Sequence, residues 1–360
     1  EYHANPRKPK KNLDPSILES LEDSSSPDTF HLAANGIYLF ANEVNVVGSL
    51  MTVQMSDSEN KLEGCANGGH LMAAIKEAHE EGSLAPSKRV PVTIYTGLTK
   101  KAKLDIVFGL NNNVEVNEDS HMNMAGKFDY IKENLANTPY HNEMVSYFQN
   151  DNGVQTILGI IQILKALMPN SKDFDLLDPA VPKMAYGNAQ VIRKDFSDND
   201  TRYKFISKSL PEILRFRDVI QSSVDNTIVR TPKIKKQVDG GIKPLALTKN
   251  KGKSPITNQF QYCQFDGNYP NYVLNNGALY PLLSAFRVFV DEKSIFDFDS
   301  AIACWSDIGD QLIAYVIFGC ADHEEVRKFA NADTTWINLF EKVNTWADKK
   351  GYVAREDSIL

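Results

Sequence analysis

The chain has 360 residues and a mass of 40.3 kDa, enough for about two domains with cores of their own. Hydrophobic residues make up 42% and charged residues 24%, a globular balance that excludes disordered and collagen-like chains. The formal charge of −7, from 39 basic and 46 acidic residues, excludes a basic surface over the whole molecule and leaves phosphate binding to a local site. Four cysteines, Cys65, Cys263, Cys304 and Cys320, form no CxxC pair and stand at no zinc spacing with histidine, so no metal site is expected.

The first residues, Glu1 to Asn12, are basic and carry prolines without an apolar stretch, unlike a secretory signal. No uninterrupted run of about 18 apolar residues occurs. The longest candidate, Val154 to Met168, is broken by Gln155, Thr156, Gln162 and Lys165 and reads as a core helix. Reduced thiols and a cytoplasmic location without membrane contact are therefore expected.

From Phe30 to Gln54, short β-rich runs, Ile37 to Phe40, Val44 to Val47 and Leu50 to Gln54, are punctuated by Asn35-Gly36, Asn42 and Gly48, which predicts strands. Leu71, Ala74, Ile75 and Ala78 recur at helical spacing after Gly68-Gly69, with Gly82 as the stop signal. Val90 to Tyr95 returns to strand, and Thr99 caps a helix from Lys100 to Leu110 that ends in Asn111, Asn112 and Asn113.

Helices are predicted after Ser120 at Lys127 to Ala136, Tyr140 to Phe148, Val154 to Met168, Pro211 to Ser223, Ala278 to Asp291, Phe298 to Phe318 and Glu324 to Trp346. The fold class is α+β, with a mixed α/β domain over residues 1–120 and a mainly helical domain over 121–360. A basic insertion near 230–253 carries Arg230, Lys233, Lys235, Lys236, Lys243, Lys249, Lys251 and Lys253 against the single acid Asp239, and reads as a loop. It is either a solvated surface or a contact for a nucleic-acid backbone through Arg230, Lys233, Lys235 and Lys236.

The segment Gly64-Cys65-Ala66-Asn67-Gly68-Gly69-His70 runs from a strand through paired glycines into a helix. Glycines admit a ligand close to the backbone, and the first N–H groups of a helix, with its dipole, favour an anion. A plain tight turn has the same sequence. His70 on the first turn is the one candidate general acid or base, and otherwise a packed residue. His121 and His141 are at no partner spacing, and HxxxH, HExxH and GxSxG patterns are absent. Asn35, Asn67 and Asn111 to Asn113 have amides able to read a base or sugar edge, and are equally at home in turns and caps.

Phe30-His31-Leu32-Ala33-Ala34-Asn35-Gly36-Ile37 resembles the F-x-x-x-N-N-G-I block of the AIPR (abortive infection phage resistance) family, with Ala34 in place of the first asparagine. Asn67-Gly68-Gly69-His70 followed by Ala73-Ala74-Ile75 is similar to that family's N-G-x-Q-T block and small-residue helix. Phe108 to Val116 resembles its asparagine-rich helix end, and Asn5-Pro6-Arg7 its N-x-R. The likeness covers residues 5 to about 135 and extends weakly through Gly277 to Leu283 and Ala285 to Arg287. The glycine block is also distantly similar to D-G-Q-H-R motifs and to the G-x-x-R of ParB and sulfiredoxin-like folds, where an arginine clamps phosphate; here Leu71 stands instead, and leucine makes no such contact.

The resemblance implies a phage-defence protein with a ParB/sulfiredoxin-like first domain, binding a nucleotide, with Mg²⁺, or a nucleic-acid phosphate. The binding set is Asn35, Gly36, Asn67, Gly68, Gly69, His70, Asn111, Asn112 and Asn113, with Arg7 as the local cation. Two alternatives stay open. One is a metal-dependent nuclease or nucleoside-triphosphatase using Glu63, Asp105 and Asp119. The other is a non-catalytic scaffold, including a homo-oligomer.

Overall fold

The computed structural model describes residue 4 and residues 15–22, 29–55, 62–111, 118–141, 144–148, 151, 153, 155–168, 180–241, 243–249, 270–291 and 293–352. The chain divides into two compact units, one of residues 1–128 with 146–152 and one of residues 129–145 with 153–360. The fold class is α+β, helix-rich with small sheets, and the second unit is dominated by helices.

The first unit opens with helix α1 (Pro15–Glu22) and one helical turn, α2 (Phe30–Ala33). Three strands follow: β1 (Ile37–Phe40), β2 (Glu43–Val47) and β3 (Leu50–Gln54). Next come β4 (Gly64–Asn67), helix α3 (Gly69–Glu80), β5 (Val92–Tyr95), helix α4 (Lys100–Asn111) and helix α5 (Glu118–Met124). Strand β1 is central in a three-stranded sheet of order β4-β1-β5, antiparallel to β4 and parallel to β5. The parallel pair is joined by a crossover through α3, as parallel strands require.

The sheet is closed underneath by apolar side chains. Phe40, Leu62, Ala66, Val107 and Met124 are buried together with Ala4, and Tyr38, Tyr95, Leu104, Phe108 and Phe148 pack around them. Thr99 accepts the Ala102 N–H at 3.3 Å, which starts α4 where the sequence places it. Gly82, at φ +71°, turns the chain out of α3 as its stop signal predicts.

In the second unit, the Leu210–Ser222 helix buries Ile213, Leu214, Phe216 and Ile220. The Phe216 ring meets Phe286 at 4.6 Å and Trp305 edge-on at 6.2 Å. Its buried Gln221 replaces a missing strand neighbour, with Oε1 accepting the Leu274 N–H at 2.7 Å and Nε2 donating to the Leu274 carbonyl at 3.0 Å.

One helix among the described residues, Phe298–Asp322, has the length and apolarity to cross a bilayer, although no uninterrupted apolar run marks it in the sequence. Within the fold it is a core element. Trp305, Leu312, Ile313, Val316 and Ile317 are buried, while Asp310 accepts from Thr227 and pairs with Arg230.

Several sequence expectations are corrected. Phe30 to Ala33, placed in the strand region, is helical, with the Ala34 N–H bonded back to the Phe30 carbonyl. Tyr140 to Phe148 is not a helix: Val145–Ser146 is extended, and the Asp151 carboxylate collects the N–H groups of Tyr147 and Phe148 at 2.9 and 2.8 Å. The helix from Val154 begins at Ile157, where Thr156 accepts the Gly159 N–H. The helix expected over Ala278 to Asp291 runs from Asn276 to Ser284 and tightens to a 3₁₀ turn over Ala285–Phe289. Glu324 to Trp346 splits into Val326–Asn331 and Asp333–Lys349 at the extended residue Ala332.

The basic segment is likewise not one loop. Pro232 opens a helix, Pro232–Asp239, that buries Ile234, and Leu247–Lys249 is a strand paired with Tyr272–Leu274. Lys251 and Lys253 lie outside the described residues.

Candidate functional site

Three sequence-distant blocks meet where β4 passes into α3. Strand β4 ends at Asn67, opposite Tyr38 of β1, and the backbone swings through Gly68 at φ +90°, ψ +15° into α3. That left-handed conformation strains any residue with a Cβ, and space forbids one as well. A Cβ at position 68 would lie 2.5 Å from the Gly36 carbonyl oxygen and 3.0 Å from the Ile37 Cα. Gly36 is itself at φ +79°, and a Cβ there would meet the Pro91 carbonyl oxygen at 2.8 Å. Asn35-Gly36-Ile37 and Asn67-Gly68 are therefore pressed together backbone to backbone.

Asn67 ties in the third block. Its Oδ1 accepts the Gly68 N–H at 2.6 Å, and its Nδ2 donates to the Leu110 carbonyl at 2.9 Å, at the last turn of α4. That carbonyl is one of the four a helix end leaves without an intrahelical partner. The buried Cys65 thiol donates to the Asn67 carbonyl at 3.2 Å. Leu110 and Cys65 are the participants sequence reasoning missed. A backbone carbonyl carries no residue signature, whereas a small buried thiol two positions before the asparagine was a readable hint.

The remaining site residues are placed as follows. Gly69, the first residue of α3, is buried, His70 is half-buried on the first turn, and Asn35 is exposed at the entry to β1. Asn111 closes α4. Arg7, Asn112 and Asn113 lie outside the described residues. The structure thus brings together Gly36, Asn67, Gly68 and the end of α4.

The candidate carboxylates sit differently. Glu63, just before β4, is buried and paired at 3.6 Å with the buried Lys103 of α4, whose ammonium lies 6.0 Å from the Phe40 ring centre. Asp119 is buried on α5. Among the described residues, no three His, Cys, Asp or Glu side chains come together as a metal-ligand set.

Of the basic residues, Arg230 pairs with Asp310 at 3.1 Å, Lys235 with Asp239 at 2.7 Å, and the Lys233 ammonium stands 5.0 Å from the Phe318 ring centre. Lys236 is exposed.

The family profile described as AIPR protein matches residues 2–316, most of the chain and all of the junction. The chain belongs to the AIPR family. Membership implies an abortive-infection, phage-defence role. No curated protein and no solved structure matches the chain. Nothing in the comparisons identifies the first unit as ParB or sulfiredoxin-like.

Proposed function

We propose that this AIPR protein carries out its phage-defence role by binding a phosphate-bearing ligand, a nucleotide or a nucleic-acid end, at the β4–α3 junction. The observation that supports the reading is the convergence of the 35–37, 67–68 and 110–111 blocks around the start of a twelve-residue helix. A helix start offers N–H groups and the positive end of the dipole, the ordinary environment for a phosphate oxygen. The burial of Gly69 and the bond from the Gly68 N–H to Asn67 restrict the approach to the rim at His70. His70 supplies a side-chain donor there, in place of the arginine that Leu71 replaces. The basic segment with Arg230, Lys233, Lys235 and Lys236 is not needed for this reading; Arg230 and Lys235 form exposed pairs with Asp310 and Asp239 of the same unit.

Thermal unfolding in the presence of nucleotides and short oligonucleotides, with and without Mg²⁺, tests the proposal. A ligand of the folded state at about 100 times its Kd stabilises by about 2.7 kcal/mol. A shift in the wild type that is lost in His70→Ala supports the site, and an equal shift in both places binding elsewhere.

A second reading has one observation in its favour: both polar atoms of the Asn67 amide are spent on internal bonds. On that reading the blocks are scaffold and the defence role is exercised through partners. It predicts no shift with any member of the panel.

A further inference from the structure

The two edges of the three-stranded sheet are finished differently. On one side β4 is shielded: Gly64, Cys65 and Ala66 are buried, and the register against β1 is irregular between Tyr38 and Leu39. On the other side β5 is open. Strand β1 bonds to alternate residues of β5, with the Ile37 N–H on the Pro91 carbonyl at 2.9 Å and the Ala41 N–H on the Tyr95 carbonyl at 3.0 Å, in a regular parallel register. That alternation commits the backbone of Thr93 and Tyr95 to β1 and turns the N–H and C=O groups of Val92 and Ile94 away from it. Among the described residues, no further strand takes them up. Pro91, Val92 and Thr93 are exposed, Val92 to 44%, and Ile94 and Tyr95 are half-buried.

An edge of this kind is a template for another strand, and proteins normally blunt it with lysine, proline, a bulge or a covering element. Within Val92-Thr93-Ile94-Tyr95 there is no charge and no proline, the residue types all favour a pleated strand, and the pairing with β1 runs without a bulge. The outward groups of Val92 and Ile94, two donors and two acceptors, match main-chain partners at strand spacing. An extended polypeptide supplies those, and a nucleic acid does not.

Charge selects among polypeptides. From Gly82 to Leu104 the chain carries Lys88, Arg89, Lys100, Lys101 and Lys103 and no acid, in a molecule whose net charge is −7. Lys103 is buried against Glu63, and the Lys88 ammonium stands 6.0 Å from the Phe30 ring centre. Arg89, ahead of the strand, and Lys100 and Lys101, on the first turn of α4 after it, are exposed, and among the described residues none of the three is in an ion pair. A second copy of β5 would bring the same cations to both ends of the strand, whereas carboxylates flanking an extended segment complement them. We infer that the outer edge of β5 binds, as a fourth strand, an extended peptide segment flanked by acidic residues. This surface lies across β1 from the β4–α3 junction and does not depend on the phosphate reading.

The test is fluorescence anisotropy of a dye-labelled synthetic peptide, Val-Thr-Val-Thr between two pairs of glutamates, titrated with the full chain. Saturable binding with a Kd on the order of 10–100 μM is expected, weakened about tenfold or more when lysines replace the glutamates of the peptide. Val92→Pro removes one outward N–H and leaves every bond to β1 in place, so binding should fall about tenfold while the sheet persists. The double substitution Arg89→Glu with Lys100→Glu reverses the charge at both ends of the strand and should weaken the peptide to a similar extent. It serves as the second variant should Val92→Pro lose the wild-type circular dichroism. A wild type that leaves the peptide unbound at about 1 mM, a lysine-flanked peptide that binds equally, or a folded variant of either kind that binds as the wild type does overturns the inference. So does binding of a dye-labelled thymidine octanucleotide, lost in the double variant, by a chain that leaves the peptide unbound, since the cations would then serve phosphates.

Discussion

Replacing Gly68 by alanine isolates what holds the junction together. The added Cβ meets the Gly36 carbonyl oxygen at 2.5 Å, the Ile37 Cα at 3.0 Å and the Ile37 Cγ1 at 3.3 Å. Two of these three atoms belong to the backbone of the central strand's entry and cannot swing aside as a flexible side chain would. The left-handed backbone costs a residue with a side chain about 1–2 kcal/mol. Forcing packed atoms apart adds about 1–3 kcal/mol, for a total of about 2–5 kcal/mol.

Gly82→Ala is the control, because Gly82 has φ +71° and nothing within 4 Å of its would-be Cβ, so only the backbone cost applies. All three tryptophans, Trp305, Trp336 and Trp346, lie in the second unit, so their fluorescence does not report on the junction. Amide hydrogen exchange of peptides covering 37–40 and 64–67 does. In Gly68→Ala, protection of both strands is expected to fall about 30-fold or more at 1.4 kcal/mol per decade. Gly82→Ala should lose about tenfold, and at the end of α3 rather than in β1. Equal losses in the two variants, or loss in β4 without loss in β1, would refute the backbone-to-backbone account.

The other expectations concern single side chains. Asn67→Asp retains the acceptor for the Gly68 N–H but loses the donor to the Leu110 carbonyl, so urea unfolding followed by exchange at the end of α4 should show a cost of about 1–3 kcal/mol. Lys165, buried in the second unit and paired with Asp195 at 2.8 Å, is held below the ordinary lysine range by burial, against the pull of Asp195. The folded state therefore binds fewer protons than the unfolded one between that lowered value and 10.5, and this group adds stability as pH rises through the window. Lys165→Met should remove that contribution and, by leaving Asp195 without its cation, cost about 3–5 kcal/mol in tryptophan-monitored urea melts at neutral pH.

Cys304 and Cys320 act in the opposite direction. Burial pushes each thiol from 9.0 up to about 12, helped at Cys304 by Asp307, so the folded chain keeps protons that the unfolded chain has lost, and stability falls as pH rises from 9 towards 12. Both thiols should resist a disulfide reagent at pH 9 until urea unfolds the helix that holds them, and fast labelling of folded protein would contradict this.

The local parts of the fold were legible in the sequence, and the tertiary ones were not. Short β-rich runs punctuated by Gly48 announced strands β2 and β3, and paired glycines ahead of Leu71, Ala74, Ile75 and Ala78 announced α3, because turn and periodicity are properties of neighbouring residues. The Tyr140 to Phe148 helix failed because Asp151 offers the backbone an alternative partner, an effect no hydrophobic pattern carries. The Pro232–Asp239 helix was obscured by its lysines, although proline at the first helical position and Ile234 on the inner face were visible. At the junction the residue types were readable and the roles were not. Asn67 has the chemistry of a ligand contact, and its partners, a glycine N–H and a helix-end carbonyl, are supplied by chain segments one and 43 residues away.

The first turn of α3 is the proposed seat of the phosphate. Amide exchange over residues 67–72, measured with and without a saturating nucleotide and Mg²⁺, addresses it at the atoms concerned. Slowed exchange is expected at His70 and Leu71 on nucleotide addition in the wild type and no change in His70→Ala, while Gly68, whose N–H is already held by Asn67, stays as it is. Unchanged exchange across this segment, under conditions in which nucleotide raises the melting temperature of the same sample, would contradict it.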